Sequence, residues 1–119
     1  MLTLNKQQVE AIGDHVFSHK MRLILNEAFS DSTEVAAAEL EEIISELTEQ
    51  AEQYQLTLET EVAPFVVCAW LYGVPFDSDF SAVREVLEDT ELSGADKAEF
   101  LWQFAEVGME ILEEDEQEF

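Results

Sequence analysis

The sequence predicts an all-α protein: a single domain of about five helices packed as an irregular bundle, with its most apolar helix near residues 61–72. Three observations lead there. Apolar residues recur at three- and four-residue spacing along most of the chain. Strand-like alternation is nearly absent, and the one short stretch that has it, Leu56-Thr57-Leu58, has no evident pairing partner. Four Gly and two Pro in 119 residues leave few breaks, which favours long helices.

The first helix is expected to begin near Asn5, where Gln8 completes a capping pair, and to run to about Phe29. Val9, Ile12, Val16, Leu23 and Ile24 form its stripe. Ser30-Asp31-Ser32-Thr33 is a turn rich in cap residues, and the second helix is expected over 33–54, with Leu40, Ile43, Ile44, Leu47, Ala51 and Tyr54 on one side. Residues 55–59 make a short crossing. Thr60 is the expected cap of the third helix, with Pro64 close enough to its start to be tolerated. Phe65, Val66, Cys68, Ala69, Trp70, Leu71 and Tyr72 are apolar on nearly every side, so this helix should be the central one. Gly73 is a natural stop, reinforced by Pro75.

Residues 74–79 read as a loop. A shorter fourth helix, capped by Ser78 or Asp79, carries Phe80, Val83, Val86 and Leu87. Ser93 and Asp96 form a variant capping box for the fifth, which places Leu101, Phe104, Gly108, Ile111 and Leu112 on one side, with Phe100, Trp102 and Val107 widening the stripe. The domain should close at residue 112. The segment 113–119 is an acidic tail whose charges oppose the helix macrodipole, so it should fray.

Charge narrows the function. There are 28 acidic and 5 basic residues, a formal net charge of -23. Between Arg22 and Arg84 there are 13 acidic residues and no basic one, and eight more acids follow Lys97 with no cation. Such a field repels nucleic acid and anionic membrane and attracts basic surfaces over about 8 Å at physiological salt. A solubility device or a salty habitat is the plain alternative. The longest apolar run is too short to span a bilayer, and Met1-Leu2-Thr3-Leu4 has no basic n-region, so a cytoplasmic protein is expected.

No cofactor, metal site or catalytic set is expected. His15 and His19 are spaced to share a metal, but no third ligand is fixed by the pattern. Asp77, Asp79, Ser81 and Glu88 fall at positions 1, 3, 5 and 12 of a calcium-loop pattern that has Ala82 where the turn needs Gly. Cys68, the single cysteine, lies in an apolar run and reads as a small buried hydrophobe, and Trp70 and Trp102 read as core. There is no glycine-rich phosphate loop, no Gly-x-Ser-x-Gly and no basic-aromatic surface for nucleic acid.

The candidate binding residues are acidic. Glu39, Glu42, Glu46 and Glu49 form a stripe on the second helix with no Lys or Arg interleaved. Like charges at this spacing repel, so an ordinary solvated helix mixes signs. Phe76, Asp77 and Asp79, in the 74–79 loop after the third helix, are the second candidate set. The expected partner is a protein with a basic surface. The alternative is an acidic DNA mimic that occupies a nucleic-acid-binding protein.

Residues 54–101 carry a resemblance. Tyr54-Gln55-Leu56, Glu61-Val62-Ala63-Pro64-Phe65 and Leu71-Tyr72-Gly73-Val74-Pro75-Phe76-Asp77-Ser78-Asp79 lead on to Val86-Leu87-Glu88-Asp89, Leu92-Ser93 and Lys97. This order resembles small helical proteins encoded beside type VI secretion spike and effector genes in Gram-negative bacteria. Their pattern is an aromatic-Gly turn followed by Phe-Asp, a Leu-Asp pair and a Lys opening the last helix. Such relatives often carry Pro-Trp where this chain has Ser81-Ala82-Val83. The resemblance implies an immunity protein or a chaperone or adaptor for a secretion effector, and carries no catalytic residues.

Overall fold

A computed structural model of the chain describes residues 6–117, and the side chains of residues 16–111. It is all-helical, with no strand among the described residues. The α-helices are α1 (Lys6–Ala28), α2 (Ala37–Gln53), α3 (Glu59–Tyr72), α4 (Phe76–Asp79), α5 (Ser81–Glu88) and α6 (Gly94–Gln117), with a 3-10 turn, Ser30–Glu34, between the first two. None of them is long and apolar enough, over the described residues, to cross a membrane. The chain divides into two units, Met1–Glu46 and Leu47–Phe119, and the division falls inside α2.

In the first unit α1 buries Phe17, Met21 and Leu25 at four-residue spacing, with Ser18 beside them. The expected stripe is rotated: Val16, Leu23 and Ile24 are each about half exposed, while Val9 and Ile12 lie outside the described side chains. The hydroxyls of Ser18 and Ser45 are hydrogen-bonded at 2.8 Å, which suits a buried polar position on that face. Helix α2 starts later than its Ser/Thr signals suggest. Thr33 donates its hydroxyl to the Ser30 carbonyl at 2.6 Å, and buried Ser32 donates to Asn26 Oδ1 at 2.6 Å. Both hydroxyls stabilise the 3-10 turn instead of capping α2.

The second unit is built around α3, which packs along α6 more extensively than any other pair of elements. Its buried run is Val62, Pro64, Phe65, Val66, Val67, Cys68 and Ala69, as an all-round apolar helix requires. The N-cap is Leu58, not Thr60. Glu61, three residues in, reaches back so that Oε1 accepts the N–H of Thr57 at 3.1 Å and of Leu58 at 3.2 Å. This carboxylate satisfies free backbone donors from inside the helix, so no hydroxyl cap is needed. Gly73 ends α3 at φ 85°, a conformation that costs glycine little.

Two further expectations are corrected here. Part of the 74–79 loop is a single helical turn, α4, which seats Phe76 against Phe65 with ring centroids 5.0 Å apart. Helix α5 has Phe80 as its N-cap, with no side-chain cap bond, because Ser78 and Asp79 are within α4. Helix α6 opens as expected, the Asp96 N–H donating to Ser93 Oγ at 3.1 Å. Its buried stripe is Lys97, Ala98, Leu101, Ala105 and Gly108; Trp102, Val107 and Ile111 are exposed. Helix α6 runs on through Gln117, across most of the segment expected to fray; the side chains from Leu112 onward, and residues 118 and 119 altogether, lie outside the described residues.

Lys97 is fully buried on that stripe. Its Nζ donates to the Tyr54 carbonyl and to Gln55 Oε1, each at 3.0 Å. Helix α2 has no basic residue in its own last turn, so α6 supplies the cation that its C-terminal carbonyls favour. Gln55 holds a left-handed backbone, φ 65°, just after α2.

Candidate functional site

At about 100° per residue, Glu39, Glu42, Glu46 and Glu49 spread over roughly 80° of the α2 surface and about 15 Å of its length. All four are exposed, while Leu40, Ile44, Leu47 and Ala51 on the other side are buried. The alternation of acidic and apolar positions at helical spacing is the physical reason: burying one stripe turns the other outward. None of the four makes an ion pair among the described residues.

Arg22, Arg84 and Lys97 are committed to other residues. Arg22 Nε pairs with Glu41 Oε2 at 3.1 Å, and its Nη2 donates to His19 Nδ1 at 3.2 Å. Arg84 pairs with Glu88 along α5 at 3.4 Å. Lys97 is buried, and Lys20 has a partner of its own. The Lys6 side chain lies outside the described residues. Among the described residues, then, no cation stands free beside the acidic face of α2.

The second candidate set is divided by the fold. Phe76 is 1% exposed, so its ring belongs to the interior and presents nothing to a partner. Asp77 is half-buried and accepts a bond from the Tyr54 hydroxyl at 2.6 Å. Burial, followed by this carboxylate, pushes the Tyr54 hydroxyl up to about 12. Only Asp79 is exposed. A loop reading leaves the direction of each side chain open, and the turn of α4 decides it.

Cys68 is fully buried, its thiol donating to the Leu101 carbonyl at 3.3 Å, and burial raises its pKa to about 12. A thiol so held is a packing group, not a nucleophile. No group of three or more His, Cys, Asp or Glu among the described residues is placed to hold a metal; His15 lies outside the described side chains. Against known proteins, no family model matches the chain, and no curated protein and no solved structure matches it.

Proposed function

We propose that this chain is a non-catalytic binding module that docks a basic protein surface on the acidic face of α2. The observation that supports this is the row of Glu39, Glu42, Glu46 and Glu49, exposed together while Arg22, Arg84 and Lys97 are engaged with other residues. A basic partner would relieve the mutual repulsion and be steered to the face, so complementary charge acts mainly on the association rate. In this reading the protein acts in the cytoplasm, and the partner is a secretion effector that it neutralises or holds for loading, the class implied by the resemblance over residues 54–101.

The test begins with a pulldown to identify the partner. Changing Glu39, Glu42, Glu46 and Glu49 together to Gln is then compared with the same change at Glu113, Glu114, Glu116 and Glu118. Net charge falls equally in both. Stopped-flow association at two ionic strengths should show the α2 variant slower and less salt-dependent. Equal effects would reduce the interaction to bulk charge, and no effect from the α2 variant would locate the interface elsewhere. A nucleic-acid-binding protein as the captured partner would favour DNA mimicry over effector binding.

A further inference from the structure

The second unit carries a groove of about 570 Å³ beside the start of α3 and along α6. Ala95, Ala98 and Trp102 line it from α6, and Leu58 closes one side. Trp102 is 39% exposed and Leu58 61%, a large apolar area to leave in water. Glu99 and Glu106 lie three residues before and four after Trp102, so all three share one face of the helix. Both acids are exposed. Among the described residues, no cation lines the groove.

One wall is built with particular closeness. Glu61, also in the lining, is tied by its Oε1 to the Thr57 and Leu58 amides. A β-carbon on Gly94 would lie 2.7 Å from that oxygen and 2.9 Å from the Gln55 carbonyl. Glycine at the first position of α6 therefore lets the helix approach the carboxylate, which leaves Glu61 fixed at the end of the groove.

We infer that this groove is a docking site for a basic, amphipathic segment of a partner protein: an apolar side chain fills the space between Leu58 and Trp102, and an Arg or Lys lies over the indole with its head group between Glu99 and Glu106. Charge complementarity selects this occupant. A cation within about 6 Å of an indole face is attracted by the ring, and carboxylates on both sides add to the attraction. An anionic ligand would meet three carboxylates and no donor cation. The site uses different helices from the acidic stripe of α2 and does not depend on it.

The probe is a fluorescein-labelled peptide of alternating Leu and Arg, titrated by anisotropy into the full chain. Two control peptides replace every Leu by Ser or every Arg by Gln. Trp102→Ala should weaken the Leu–Arg peptide by about tenfold, a hot-spot loss for an exposed aromatic anchor. E99Q/E106Q should weaken it several-fold, and E39Q/E42Q, with the same charge change on α2, by less than about twofold. Thermal melting monitors the folding of Trp102→Ala; if that variant melts early, Ala95→Phe, which fills the groove from an exposed position, must show the loss instead. The inference is overturned if the wild-type chain does not bind the Leu–Arg peptide, if either control peptide binds as tightly, if Trp102→Ala (or Ala95→Phe, where it replaces that variant) binds as the wild type does, or if E39Q/E42Q acts as strongly as E99Q/E106Q.

Discussion

The Tyr72 hydroxyl occupies the space that a side chain at Gly108 would take. A β-carbon there would stand 2.6 Å from the hydroxyl oxygen and 2.9 Å from the ring carbon that bears it. The hydroxyl is itself held, donating to the Phe104 carbonyl at 2.6 Å. Two effects compete in Gly108→Ala. Alanine gains about 1 kcal/mol of helix propensity. Against this, a rigid ring must move and lose its bond, at about 1–3 kcal/mol for an overpacked site. We expect a net loss of up to about 2 kcal/mol by urea unfolding. A variant more stable than the wild type would show that α3 and α6 can separate freely at this point.

Lys97 sets a second expectation. Its stem is buried and its ammonium holds two acceptors, the Tyr54 carbonyl and Gln55 Oε1. Lys97→Met keeps most of the stem and leaves both acceptors without it, a loss of about 1–3 kcal/mol. Lys97→Ala adds a cavity and should cost about 2–5 kcal/mol. The order Ala worse than Met is the diagnostic. If Met equals the wild type, relief from burying a charge offsets the two lost bonds.

The alkaline limb of stability follows from three raised groups. Burial lifts Cys68 and Tyr54 each to about 12 and moves Tyr72 in the same direction. The folded chain thus retains protons that the unfolded chain releases, starting near the ordinary values of 9.0 for Cys and 10.0 for Tyr. Stability should be complete below about pH 9 and fall as pH rises toward 12. Urea midpoints at several pH values test this, and Cys68→Ala should flatten the fall. A midpoint unchanged up to pH 11.5 would contradict the burial of these groups.

The four α2 carboxylates should be costly to the isolated chain. Glu39–Glu42, Glu42–Glu46 and Glu46–Glu49 are three like-charge neighbours at helical spacing, each worth a few tenths of a kcal/mol of repulsion. Gln has nearly the helix propensity of Glu, so the quadruple Gln variant should gain about 0.5–1 kcal/mol at low salt. Added salt should close the gap by screening the wild type. Melting temperatures at two salt concentrations decide it; a variant less stable than the wild type would reveal a structural task for one of the acids.

Sequence pattern made α3 and the acidic face legible for the same reason. The run Phe65 to Ala69 is apolar at every angle, and Glu39, Glu42, Glu46 and Glu49 stand opposite Leu40 and Ile44, so each orientation has one solution. Helix α6 was harder. The residues that it buries are mostly small, Ala98, Ala105 and Gly108, because close approach to α3 selects size over hydrophobicity. A reading weighted by apolarity placed Trp102 and Ile111 inward and gave no sign that Lys97 is internal. The signal was present in the four-residue spacing of Lys97, Leu101 and Ala105, together with an α2 that lacks a cation in its last turn. Phe76 reads as a partner contact when 74–79 is taken as a loop, and the turn of α4 sends it into the core instead.

Gln55 carries two obligations in one residue. Its backbone occupies the left-handed region, which glycine and asparagine tolerate best, while its side chain supplies an acceptor to Lys97. Glycine would relieve the first and forfeit the second; asparagine would ease the backbone but falls one methylene short. Positions 55 and 97 are therefore coupled through this hydrogen bond. A lineage that adopts glycine at 55 leaves Lys97 with the Tyr54 carbonyl alone of its two acceptors, which weakens the hold on the cation, and one that loses Lys97 first has less reason to keep glutamine. Among relatives of this chain, the two positions should change together.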